Sequence, residues 1–399
     1  VIEFLSISFR MIHVVAAIMW IGNSLLFTWF ELNLRRNEED GESSLGSMNM
    51  LHGGGIFFLQ KRIIDPKEIP QRLHIFKWQS YTTWLSGFVL LVCLFYTKES
   101  SLLDAGKTDL PGYMGAVISI ASLLGGWLFY DLLWRSPIRN KELLGVLISF
   151  AALIGYGYWL DNVFNGRAVY LHLGAMMGTM MSANVFFHIM TNQRKMMDAL
   201  MEGKPHDLKL GKQAKIRSTH NHYITFPVIF MMLSAHFPAT YGSPHSIPIA
   251  AVAIITLALI KHLMNCYHSL PRWKELLGLT FLVGSGIIAL LVSQGRAAEN
   301  QSLSPEALAG QKVFAATGCN ACHLPEAGTI APSLYGLLGK EREFADGSSG
   351  VADEAYLRES ILNSTAKVVK GYPPAMPPYA TVLSDEQVDH LVAYLKSLE

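Results

Sequence analysis

The residues best suited to chemistry lie near the C-terminus, where "GCNACH" places Cys319, Cys322 and His323 in C-x-x-C-H spacing. Two thiols three residues apart reach the two vinyl groups of a haem, and the next residue is directed at the iron. The spacing therefore reads as covalent haem c, with His323 as proximal ligand. Met376, in the proline-stiffened "GYPPAMPPY", is the expected sixth ligand, a thioether that raises the potential relative to a second histidine. A zinc half-site or a redox dithiol competes for the C-x-x-C. The other two cysteines, Cys93 and Cys266, fall in or beside apolar runs and complete neither, so they read as packing residues.

A second set of candidates is less local. "RSTHNHYITFPVIFMMLSAHF" is apolar enough to cross a bilayer, yet carries His220, His222 and His236. Intramembrane ionisable groups are costly and tend to mark cofactors, proton paths or substrate sites.

These residues need elements to hold them. The chain of 399 residues is 51% hydrophobic and 16% charged, with a net charge of +1 that gives no sign of a nucleic-acid partner. Long apolar runs with at most one charged residue each recur at 4–30, 81–97, 113–134, 143–160, 168–190, 222–237, 247–264 and 276–293. A helix of roughly 20 residues spans about 30 Å of hydrocarbon with its backbone satisfied internally. The expected fold is therefore all-α: a polytopic bundle of eight transmembrane helices over 1–293, a polar linker over 294–303, and a small class I cytochrome c domain over 304–399. Ser304 and Ser384 are placed to cap that domain's first and last helices.

Arg35, Arg36, Lys61, Arg62, Lys67, Arg72 and Lys77 crowd one loop, and Arg194, Lys195, Lys204, Lys209, Lys212, Lys215 and Arg217 another of the same parity. The opposite loops hold only Lys98, Lys107 and Arg167. The excess of basic residues places the first set in the cytoplasm and both termini, with the cytochrome domain, outside. Haem c is attached outside the bacterial cytoplasm, which agrees. No cleavable leader is expected, since the first span starts with the sequence given.

By depth, His13, His172 and His236 fall toward the outer side and His188, His222 and His262 toward the inner. Any one of them reads as a polar contact between helices. As a set they are candidates for a haem b or another metal held by histidine pairs, the outer three being nearest haem c. On one straight helix His222 and His236 would lie within roughly 40° and about 21 Å of each other, suiting two stacked haems. His172 and His188 differ by about 160° and cannot serve one face in this way. The methionines from Met176 to Met181 read as filler among small packing residues. The glycines at 53–55 suit an anion nest or a plain turn. Asp131 and Asp161 sit at opposite membrane edges, where carboxylates are usually solvated.

"RMIHVVAAIMWIGNSLLF", "LHGGG", "HIFKWQSYTTWLSGF", "GWLFYDLLW", "HLGAMMGTMMSANVFFHIMTNQRK" and "RSTHNHYITFPVIFMMLSAHFP", followed by a fused C-x-x-C-H domain, together resemble the bacterial membrane-bound urate hydroxylase family. The resemblance runs along essentially the whole chain. It implies conversion of urate to 5-hydroxyisourate with water as oxygen source, electrons passing through haem c to a soluble cytochrome c or terminal oxidase of the respiratory chain. Urate at neutral pH is a planar monoanion, suited to Arg, amides and aromatic stacking, with His as the base that activates water. On the inner side His52, His74, Trp78, Asn184, Asn192, Arg194, Arg217, His220 and Asn221 are the candidates. The competing class is an electron-transfer module fed by quinol or a partner dehydrogenase, which the His222 and His236 spacing favours.

Overall fold

The computed structural model describes residues 2–36, 43–63, 76–97, 101–104, 106–204, 207–323 and 331–398. The membrane part is helical. Its elements are α1 (Ile2–Asn33), α2 (Trp78–Leu91), α3 (Gly112–Arg135), α4 (Glu142–Leu160), α5 (Gly166–Ala183), α6 (Met190–Met201), α7 (Leu208–Ser234), the short α8 (Pro238–Tyr241), α9 (Ser246–Asn265) and α10 (Trp273–Ser302). Seven stretches among the described residues are long and apolar enough to cross a membrane. The run expected at 222–237 lies mostly within α7, whose polar first half keeps it out of that seven.

Burial separates the centre of the bundle from its lipid flank. Half of the most apolar window of the α5–α6 stretch is buried, against 6% of that of α10. Phe164, Tyr170, Leu173, Met176 and Met177 form the central packing with Leu160 of α4 and Met231 of α7. The methionines fill gaps: a Cβ on Gly126 of α3 would collide with the Met176 thioether.

Two helices are locally widened. A π-helical turn follows α2 at Val92–Tyr96, and another follows α5 at Asn184–Ile189. Such turns insert a residue into the α register and occur frequently at functional sites. The second one means that the straight-helix comparison of His172 with His188 does not apply.

Between α1 and α2 the chain forms a hairpin, β1 (Ser44–His52) with β2 (Gly55–Arg62), antiparallel. Gly53 and Gly54 close it with φ of 61° and 80°. Two successive residues at positive φ define the turn that matches the strand twist, and glycine takes it without steric cost. Gly53 and Gly54 thus build a plain turn, and Gly55 opens β2.

The stretch 294–303, expected as a linker, is helical up to Ser302 as the last turns of α10. Beyond it lie α11 (Pro305–Ala316), a two-stranded ribbon of β3 (Glu341–Glu343) and β4 (Ser349–Val351), α12 (Glu354–Leu362) and α13 (Asp385–Lys396). Ser304 caps α11, and Ser384 with Gln387 forms a reciprocal capping box on α13. The crossing of α11 and α13 is close: a Cβ on Gly310 would overlap the His390 carbonyl, while Phe314 and Tyr394 meet edge to face at 5.4 Å.

Candidate functional site

In the C-terminal domain Cys319, Cys322, His323 and Met376 all line one largely apolar cavity. The cysteines sit on a short turn after α11, entered through Gly318 at φ 74°. His323 Nδ1 donates to the Pro332 carbonyl at 2.9 Å, leaving Nε2 for a metal and fixing the ring. Burial holds the His323 pKa below its ordinary value, with the Pro332 carbonyl opposing. Arg342 Nε and Ser360 Oγ, both in the lining, are buried without a hydrogen-bond partner. An apolar slot with two thiols, an oriented imidazole, a thioether and unsatisfied donors fits haem c.

The membrane part builds its main polar network at the loop end of α3, α5 and α7. Arg217 of α7 is 5% exposed and Asp131 of α3 is 3% exposed. Arg217 Nη2 donates to Asp131 Oδ1 at 2.9 Å. Asp131 also takes His188 Nε2 at 2.5 Å and Arg135 Nε at 2.7 Å. Arg217 Nη1 reaches Asn184 Oδ1 at 3.4 Å, and its guanidinium lies 5.1 Å from the centre of the Tyr130 ring. The Asn184 amide donates to Tyr130 Oη at 3.0 Å and to Asn221 Oδ1 at 2.9 Å. Tyr130 Oη in turn meets His220 Nδ1 at 2.7 Å, and the His220 ring packs 4.1 Å from the ring of Trp134.

The π-turn after α5 supplies two members of this network, Asn184 and His188, four residues apart. Gly145 of α4 makes room for a third: a Cβ there would come within 2.8 Å of the Trp134 indole. Arg217 and Arg135 against Asp131 leave one positive charge when the histidines are neutral. Chemically the cluster offers a guanidinium with spare donors, two amides, a phenol, two imidazoles and an indole face.

Four expected inner-side residues, Asn184, Arg217, His220 and Asn221, are thus brought together. His188, expected as a metal ligand, joins them instead as the partner of Asp131. Two others stand apart, and a third lies outside the described residues. His52 is exposed beside the hairpin turn and Arg194 is exposed on α6; the third is His74. Asn192 is buried against Leu210 and Gln213, and Trp78 is 67% exposed. Tyr130 and Trp134 are not among the residues expected from the sequence, and Asp131 is expected there only as an edge carboxylate. The signal was a carboxylate at the end of an apolar helix with a lone arginine on another, and Asp131 is buried rather than solvated.

His13, His172, His222 and His262 are engaged by neighbouring helices. His13 Nδ1 bonds the Thr83 carbonyl at 2.9 Å on α2. His172, with no exposure, bonds the Ala168 carbonyl and Ser119 Oγ, both at 2.6 Å. Ser119 continues to Tyr96 Oη at 2.7 Å, and Tyr96 belongs to the other π-turn. His222 meets Thr28 of α1 at 3.3 Å, and His262, exposed, meets Tyr223 Oη at 2.8 Å. His236 lies beyond the end of α7 and is exposed, so it shares no helix face with His222. Of the outer group, His236 lies past the end of α7, and His172 has both ring nitrogens hydrogen-bonded. No cluster of three or more His, Cys, Asp or Glu side chains suited to a metal occurs among the described residues.

The architecture defines a membrane-associated oxidoreductase that passes electrons through a fused, haem-carrying cytochrome c domain. A family model described as Urate oxidase N-terminal matches residues 1–293, and one described as Cytochrome c matches 307–399. The chain belongs to the urate oxidase N-terminal family. No curated protein matches it.

Proposed function

We propose that the protein oxidises urate to 5-hydroxyisourate at the Arg217–Asp131 network, takes the added oxygen from water, and sends the electrons through haem c to a soluble cytochrome c or terminal oxidase. Per turnover, urate and one water give 5-hydroxyisourate, two protons and two electrons. The bundle lies in a bacterial inner membrane with the network on the cytoplasmic side and the cytochrome domain in the periplasm, as the loop charges suggest.

The observation that carries this reading is a buried guanidinium, Arg217, fixed between Asp131 and Asn184 in a cluster with one excess positive charge. A planar monoanion is matched by the spare N–H groups of Arg217, the amides of Asn184 and Asn221, and the Trp134 face. His188, oriented by Asp131, is placed to take a proton from water, and His220 backs Tyr130. Cys319 and Cys322 would tether haem c, with His323 and Met376 on its iron; that haem supplies one-electron acceptance. The carrier reading loses its geometric support with His236 off the α7 face.

Anaerobic addition of urate to the purified full-length protein tests the proposal. Reduction of haem c, together with label from ¹⁸O-water in the product, is expected. Haem c that stays oxidised with urate but is reduced by a quinol analogue would replace the enzyme reading with the carrier one.

A further inference from the structure

Lys261 of α9, within a membrane-spanning helix, is 3% exposed. Its ammonium lies 5.8 Å from the centre of the Phe226 ring and makes no hydrogen bond or ion pair with any described residue. One turn before Phe226 on α7, His222 bonds Thr28 of α1 and is within electrostatic reach of Lys261 and Lys215. Glu31, three residues beyond Thr28, is already shared by Lys61 at 2.7 Å and by Lys215. Lys61 and Lys215 thus share the one carboxylate of Glu31, and Lys261 has no carboxylate partner among the described residues.

At the loop end Tyr267 Oη donates to Asn33 Oδ1 at 2.8 Å and His268 Nε2 to the Leu32 carbonyl at 2.6 Å, tying the α9–α10 connection to the end of α1. Along its length α1 packs chiefly against α2, leaving Leu26 and Trp29 exposed on its flank. A buried ammonium without a counter-charge is unfavourable, and basic pockets between spanning helices suit anionic head groups.

We propose that Lys261, with His222 and Lys215, holds the phosphate of an anionic membrane lipid between α1, α7 and α9. The phosphate supplies the missing negative charge and accepts from the ammonium and imidazole, while the acyl chains run along the exposed flank of α1. This seat uses Lys215 and His222 of α7 and none of the residues of the Arg217 network, so it stands whether or not the substrate is urate.

Native mass spectrometry and thermal unfolding of the full holo-chain in neutral detergent test it, with phosphatidylglycerol, phosphatidylcholine or inorganic phosphate added. The wild type is expected to retain one phosphatidylglycerol at least about tenfold more tightly than phosphatidylcholine, and Lys261→Gln to abolish the preference with an unchanged haem c spectrum. A stabilisation by inorganic phosphate equal to that by the lipid, and lost in Lys261→Gln, supports the phosphate seat and makes its source soluble. Equal retention of both lipids with no response to phosphate, or a preference undiminished in Lys261→Gln, overturns the proposal. If that variant does not fold, His222→Gln serves the same comparison.

Discussion

Arg217 of α7 and Asp131 of α3, 86 residues apart in the chain, are joined at 2.9 Å in a setting where both side chains are about 5% exposed. Each satisfies a charge that the bundle would otherwise bury alone. Asp131 further organises His188 and Arg135, so this pair holds together α3, α7 and the π-turn after α5.

Breaking the pair from one side is therefore expected to cost about 3–5 kcal/mol, since it strands a buried charge. Arg217→Met and Asp131→Leu alone should each destabilise more than the two combined. A double-mutant cycle by thermal unfolding in detergent checks this, and additive losses would show that the two charges are not coupled. Arg217→Lys keeps the charge but loses the fork, and should lower urate-dependent haem reduction at least about tenfold.

Trp134 offers its indole face beside His220, and Gly145 makes the space for it. Trp134→Leu should raise KM for urate more than it lowers kcat, because stacking contributes to ground state and transition state alike. A fall in kcat with unchanged KM would place Trp134 in the chemistry instead. Gly145→Val, which pushes on the indole, should move KM in the same direction.

Haem attachment and ligation can be separated. Cys319→Ala combined with Cys322→Ala should abolish covalent haem on a denaturing gel. Met376→Ala should keep the haem attached but lower its midpoint potential, as loss of a thioether ligand predicts. An unchanged potential would remove Met376 from the iron.

The α11–α13 crossing depends on a missing side chain. Gly310→Val would press on the His390 backbone, and overpacking of this kind costs about 1–3 kcal/mol or more. The cytochrome domain should melt earlier, by several degrees on the same scale, while the membrane helices keep their far-ultraviolet signal.

In the haem-free chain, acid should weaken the same domain through His323. Burial depresses its pKa in the folded state, so the unfolded chain binds the proton more readily. Stability is complete above the ordinary value of 6.5 and declines as pH falls below it toward the depressed folded pKa. Unfolding curves from pH 7 to pH 4 check the sign; a domain more stable at the lower pH would contradict it.

Several features could be read directly from the sequence because they are local. C-x-x-C-H encodes the haem attachment in five adjacent residues, Ser304 and Ser384 cap the helices that follow them, and apolar runs long enough to span hydrocarbon announce the membrane helices. The polar network was only half legible. Asn184, Arg217, His220 and Asn221 stood out as unusual groups near the basic loops, but Asp131 looked like a solvated edge residue and His188 like a ligand.

What the chain alone determined is thus the inventory: a helical membrane bundle, a tethered haem domain, and the polar groups placed at each depth. Which of those groups meet was decided by packing. A lipid-facing residue is as apolar as a core residue, so the sequence of a spanning helix carries little sign of which face turns inward. Partners such as Asp131 and Arg217 are then selected only when helices dock, and the end of α7 before His236 and the π-turns at 92–96 and 184–189 set the register in which they do so.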